Sequence, residues 1–230
     1  NKKNFRGIGG LNLTQYEGAK NNKYTLHAAF DYRLEKFKSM SFRVGLDNHY
    51  QRDIRVTDQS YVNFQHRVDF PGERIKSLQT DIRIAKNSYP TSSESNSRSE
   101  SISLMASKNI STTTHLGGSV FLESNKTKYT SLSFKTYSAS VFIKEYLPLA
   151  SSSIQLNLLA ANRLYSGTDE LFMTKRTDYR RIVSLTLNRN KRVLELYPTI
   201  EAGIEKFTSN IPINSYRKNF INFYLKKTFN

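Results

Sequence analysis

Apolar and polar residues alternate along most of this chain. Met40, Phe42, Val44 and Leu46 fall on one parity, and Ser41, Arg43, Gly45, Asp47 and His49 on the other. Successive strand side chains point to opposite faces, so this reads as a two-faced strand. Tyr24–Tyr32, Leu78–Ile84, Leu116–Leu122 and Ile200–Ile204 repeat the pattern. No segment carries a capped i, i+3, i+4, i+7 stripe, so no helix is expected. The pattern predicts strands near residues 5–15, 23–35, 40–51, 60–70, 74–86, 99–108, 114–124, 130–146, 153–165, 177–188, 193–207 and 215–229. In strand 130–146, Phe134 and Phe142 fall on one parity and Tyr137, Val141 and Ile143 on the other, which suggests a bulge near Thr136–Ser140.

Strands of soluble domains usually run about 5–6 residues, whereas bilayer-crossing strands need about 9–11. Many of the predicted strands reach the longer figure. The connections alternate as well. Lys36–Ser39, Pro71–Glu73, Asn109–Thr113, Leu147–Ser152 and Arg189–Arg192 are short. Arg52–Gln59, Asn87–Arg98, Ser166–Arg176 and Thr208–Asn214 are more polar and mostly longer. Outer-membrane barrels show this rim asymmetry. The expected fold is therefore all-β, an antiparallel transmembrane β-barrel of about twelve strands, with fourteen as the alternative count. An ordinary antiparallel sandwich is the rival reading. Tyr and Phe near predicted strand ends, among them Tyr61, Tyr165, Phe207 and Tyr216, suggest an interfacial girdle.

Composition narrows the function. Lys plus Arg number 35 against 19 Asp plus Glu, a formal charge of +16, and cysteine is absent. Disulfides, thiolate metal sites and a cysteine nucleophile are excluded. No apolar run approaches the roughly 20 residues of a spanning helix. The basic residues are spread through every strand and loop, which disfavours a nucleic-acid stripe. His27, His49, His66 and His115 form no H-E-x-x-H pair, and there is no phosphate loop or G-x-S-x-G elbow. Asp47 with His49, and His27 with Asp31, share faces but have no nucleophile tied to them. The chain reads as non-enzymatic, with no cofactor and no metal. The polar parity would supply a mixed-charge lumen: Asp31, Arg33, Arg43, Asp47, Asp81, Arg83, Arg180, Glu201 and Glu205.

The last third carries the most specific pattern. Arg163-Leu-Tyr165 ends a strand, and Lys175-Arg-Thr-Asp-Tyr179 opens the next. Leu196-Tyr-Pro198 follows, then Thr208-Ser-Asn-Ile-Pro-Ile-Asn-Ser-Tyr-Arg-Lys-Asn219, and a final strand ending at Phe229. This resembles the C-terminal barrel domain of the surface lipoprotein assembly modulator (Slam) family. The resemblance implies a bacterial outer-membrane, multi-pass protein that promotes translocation or surface display of client lipoproteins or secreted proteins. A passive channel or polysaccharide-export barrel is the alternative. It implies a single barrel domain over 1–230, with the family's helical-repeat domain outside this chain. The implied partners are a client protein, the barrel-assembly machinery, and lipopolysaccharide with membrane lipid. Phe223, Leu225 and Phe229 on the last strand resemble a barrel-assembly signal. Ile211, Pro212 and Ile213 set apolar groups in a polar loop, where they would pack into the barrel mouth or contact a client.

Overall fold

The computed structural model describes residues 4–16, 21–35, 38–51, 54–70, 75–89, 92–189 and 196–227. Its side chains are described from residue 38 onward, except 47–56, 94, 196–197 and 225–227. Among the described residues, twelve strands follow one another: β1 (Asn4–Tyr16), β2 (Asn21–Glu35), β3 (Lys38–Gln51), β4 (Ile54–Asp69), β5 (Ser77–Ser88), β6 (Ser97–Asn109), β7 (Thr114–Thr127), β8 (Phe134–Leu147), β9 (Ser152–Asp169), β10 (Thr174–Arg189), β11 (Leu196–Ser209) and β12 (Tyr216–Lys227). Each pairs antiparallel with the next, giving a single meander in sequence order. Single-turn 3-10 segments sit in connections at Ser93–Ser95, Thr130–Leu132 and Pro212–Asn214.

The barrel expectation is corrected here. The sheet is open: its order runs from β1 to β12, and among the described residues no ladder joins these two strands. Alternation and strand length specify a long two-faced antiparallel meander, but closure needs a further register between first and last strands. Nothing in the alternation encodes that register. The transmembrane barrel falls with closure, and so do the multi-pass outer-membrane localisation, the translocation or display function assigned to such a barrel, and its channel or export alternative. No helix among the described residues is long and apolar enough to cross a membrane.

Parity sorts the sheet into two unlike faces. Register carries Leu46, Val44, Val62, Ile84, Ile102, Leu122, Val141, Leu158, Val183 and Ile204 across to one side. All ten are exposed. The other parity is polar yet sheltered, with Thr136, Ser153, Asp178, Ser184 and Glu205 buried there. A soluble sheet would invert this arrangement. A contiguous exposed apolar face of this extent marks an interaction surface.

Aromatic rings help to shelter the polar face. Gly45 lies under the Tyr61 ring, Gly117 under Phe142 and Gly203 under Phe220, each across a strand pair. The absent side chain lets the ring lie flat on the neighbouring strand. Register places Tyr61, Phe207 and Tyr216 on the polar face, so they form no girdle on the apolar one, although Tyr216 opens β12. The suggested bulge in β8 is absent: its register runs unbroken from Phe134 to Leu147. Shifts occur instead at Arg33/Glu35, His49/Tyr50 and Lys175/Thr177.

Several expected loops are strand. β4 begins at Ile54, β9 runs to Asp169 and β10 starts at Thr174. Between the last two, the Asp169 carboxylate accepts bonds from the Leu171 and Phe172 N–H groups, 3.0 and 3.2 Å, forming an Asx turn. Met173 closes it at φ 51°, with its side chain 80% exposed. The left-handed region costs a residue with a Cβ about 1 kcal/mol. Met173→Gly should raise stability by about 0.5 kcal/mol once glycine's unfolded-state entropy is subtracted. A lower denaturant midpoint in the variant would contradict this account of the turn. The predicted turn Pro71–Glu73 lies outside the described residues.

Candidate functional site

The densest chemistry lies on the polar face of β8–β12. Arg176, Asp178 and Arg180 alternate on one strand, so all three project from the same face. Asp178 is 2% exposed, and its Oδ1 accepts from Arg176 Nε at 2.9 Å. Its Oδ2 is buried without a partner. Arg176 also lies over the Tyr165 ring at 4.9 Å, and Arg163 over Phe134 at 4.1 Å. The two rings meet at 5.6 Å. Arg163 Nε adds a 3.3 Å bond to Thr136 Oγ1.

Glu205 anchors the far end. Register sets it opposite Lys218 on β12, with Arg180 and Tyr216 diagonal to it. Glu205 Oε1 accepts from Arg180 Nε at 2.8 Å and Tyr216 OH at 2.7 Å, while Oε2 faces Lys218 Nζ at 3.0 Å. Tyr216 stacks on Phe207, centroids 5.1 Å apart. The Arg180 guanidinium, helped by Tyr216 and Lys218 against the opposing effect of burial, holds the carboxyl down at about 2. The bond to Glu205 in turn raises the Tyr216 phenol. Glu205 is buried, but Arg180 and Lys218 keep about half of their side-chain surface open, 47% and 54%. The result is a band of partly open cations, positioned by rings and by two buried carboxylates.

The loop after β11 is fastened to this band. Asn210 Oδ1 accepts from Thr177 N–H at 2.8 Å, and Asn210 Nδ2 donates to Lys175 carbonyl oxygen at 2.8 Å. Asn210 thus serves backbone groups at the Lys175/Thr177 register shift. Ile211 is 1% exposed, Pro212 begins a 3-10 turn, and Ile213 is 76% exposed. The Ser209–Ile213 segment is thereby a structural clasp with Ile211 buried and Ile213 left outward.

The other sequence-predicted residues are dispersed. Arg83 bonds to Gln59 and lies over the Tyr61 ring at 4.2 Å. Asp81 accepts from Gln79 at 2.8 Å. Glu201 accepts long bonds from Asn222 and Tyr224, 3.5 and 3.4 Å. Arg43 is exposed on β3, opposite Asn63. Asp31 and Arg33 on β2 and Asp47 on β3 have side chains outside the described ones. Phe223 is exposed on the apolar face, Leu225 has its side chain outside the description, and Phe229 lies beyond it altogether. Among the described side chains of the predicted polar set, only Arg180 and Glu205 meet. Arg163, Arg176, Asp178, Tyr216 and Lys218 went unselected, although the base-x-acid-x-base spacing at 176–180 is visible in the sequence.

A family model described as surface lipoprotein assembly modifier matches residues 20–229, which spans β2 to β12. No curated protein matches the sequence. Assembly factors of this type are non-catalytic, and among the described residues no cluster of His, Asp and Glu could hold a metal ion. The chain belongs to the surface lipoprotein assembly modifier family, and its role lies in lipoprotein assembly.

Proposed function

We propose that the chain is a binding module that holds a client lipoprotein on its polar face, along the β8–β12 band. The observation that carries this reading is the pairing of buried carboxylates with half-open cations. Asp178 and Glu205 fix the directions of Arg176, Arg180 and Lys218, yet leave those cations surface to spare. Rings beneath Arg163 and Arg176 hold their guanidinium planes flat. Such a surface takes acidic, extended polypeptide and performs no bond chemistry. The net charge of +16 would speed the encounter. One continuous sheet supports treating residues 1–230 as one unit.

Fluorescence anisotropy with a labelled Glu/Ser-rich peptide tests the reading. Binding should weaken as salt rises, because half-open cations are screened. Arg163→Gln with Lys218→Gln should weaken it about tenfold, in line with the loss of two charge-assisted contacts. Binding that ignores both salt and the double substitution would remove the band from consideration.

A further inference from the structure

Register sets three cations side by side on the apolar face, near the β5–β6 connection. Lys86 stands opposite Arg98, and Arg98 opposite Lys126. All three are exposed. Like charges directly opposite one another destabilise a ladder, so the row is a cost to folding. Little on the protein offsets it. Arg98 pairs with Glu100 at 2.9 Å, but both side chains are largely open, and such a pair contributes little. Lys86 and Lys126 have no ion-pair partner among the described residues. The arrangement occurs a second time: Arg181 stands opposite Lys206, and Lys206 opposite Arg217, again on the apolar parity.

The first row borders a groove of about 940 Å³. Leu46, Val62 and Ile84 line its apolar part, and Lys86, Arg98 and Lys126 its polar edge, with Lys128 beyond. That volume lies within the range of roughly 300–1,000 Å³ typical of small-molecule sites. We infer that this groove binds an acylated lipid carrying a phosphate group, with the cation row on the phosphate and the aliphatic floor under an acyl chain. A phosphate offers three acceptor oxygens to three donors, which matches the row. The site lies on the face opposite the client band, so it stands or falls independently of that reading.

Isothermal titration of the purified chain with dioctanoyl phosphatidic acid, below its micelle concentration, tests the site. Dioctanoylglycerol and inorganic phosphate serve as the separated halves of the ligand. The phosphatidic acid should bind at least tenfold tighter than either. Lys86→Gln with Lys126→Gln should weaken it at least tenfold while leaving the denaturant midpoint unchanged or higher, since repulsion is relieved. Glu100→Gln frees Arg98 and should tighten binding a few-fold. Dioctanoylglycerol binding as well as the phosphatidic acid would make the groove merely apolar, and inorganic phosphate binding as well would make it a free-anion site; either overturns the proposal. Full retention of binding in the double variant does so too. Should that variant fail to fold, an unchanged affinity in Glu100→Gln is decisive against it.

Discussion

Gly203→Ala should destabilise the protein by about 2 kcal/mol, while Gly45→Ala should change stability by well under half as much. Both glycines lie on the polar face beneath an aromatic ring, so sequence context alone does not separate them. The neighbours do. A Cβ at Gly203 would come within 2.6 Å of the Val183 carbonyl oxygen and 2.9 Å of Ser184 Cβ, as well as 2.6 Å from the Phe220 ring. Backbone oxygen cannot retreat without breaking the β10–β11 ladder. The three atoms nearest a Cβ at Gly45 all belong to the outer part of the Tyr61 side chain, which can swing aside. The displaced ring would give up part of its contact with Arg83. Against that loss stands the gain of roughly 0.5–1 kcal/mol that alanine brings over glycine in a strand. Denaturant midpoints of the two variants give the comparison. The reverse order would mean that the β10–β11–β12 contacts are looser than described.

Much of this sheet was legible because alternation is a local property. Parity from Met40 to Leu46, and from Leu116 to Leu122, assigns faces correctly without knowledge of any neighbour. What failed depends on partners. Phe142 is out of phase with Val141 and Ile143, for which a bulge is the local explanation; the ring belongs on the polar side because Gly117 lies opposite it. Strand ends were misplaced for a related reason. Thr168 and Asp169 pair with Lys175 and Thr174, and β9 continues as strand through Ser166 and Gly167, but these positions carry no apolar parity, so hydrophobic alternation goes silent there. Closure is the extreme case. A barrel and an open meander share every local signal, and only the register of β1 against β12 separates them. The site shows the same division. Arg176-x-Asp178-x-Arg180 declares its shared face in the sequence, whereas the meeting of Glu205 with Lys218 and Tyr216 requires the β11–β12 register.

That meeting sets the pH response of the fold. The Glu205 carboxyl is held at about 2 in the folded chain, against an ordinary 4.5. A depressed carboxyl contributes stability that is fully present above the unfolded value and disappears as pH falls through the folded one. Its contribution should therefore be complete at neutral pH, decline from about pH 4.5, and be gone near pH 2. The shift alone would correspond to about 3 kcal/mol. Arg180 and Lys218 are half open to solvent, so screening lowers the expectation to about 2 kcal/mol. Glu205→Gln should cost about that much at pH 7, because two neighbouring cations lose their shared anion while the amide keeps only part of the hydrogen bonding. The same substitution should flatten the stability profile between pH 4.5 and 2, since the group that titrates there is gone. Tyr216→Phe removes one of the three donors and should give a smaller loss, about 1 kcal/mol, with the acid limb retained. Denaturation of the three proteins at pH 7 and pH 3 separates these effects. A Glu205→Gln profile parallel to that of the unsubstituted chain across this window would show that the carboxylate is not held by Arg180, Lys218 and Tyr216 in solution.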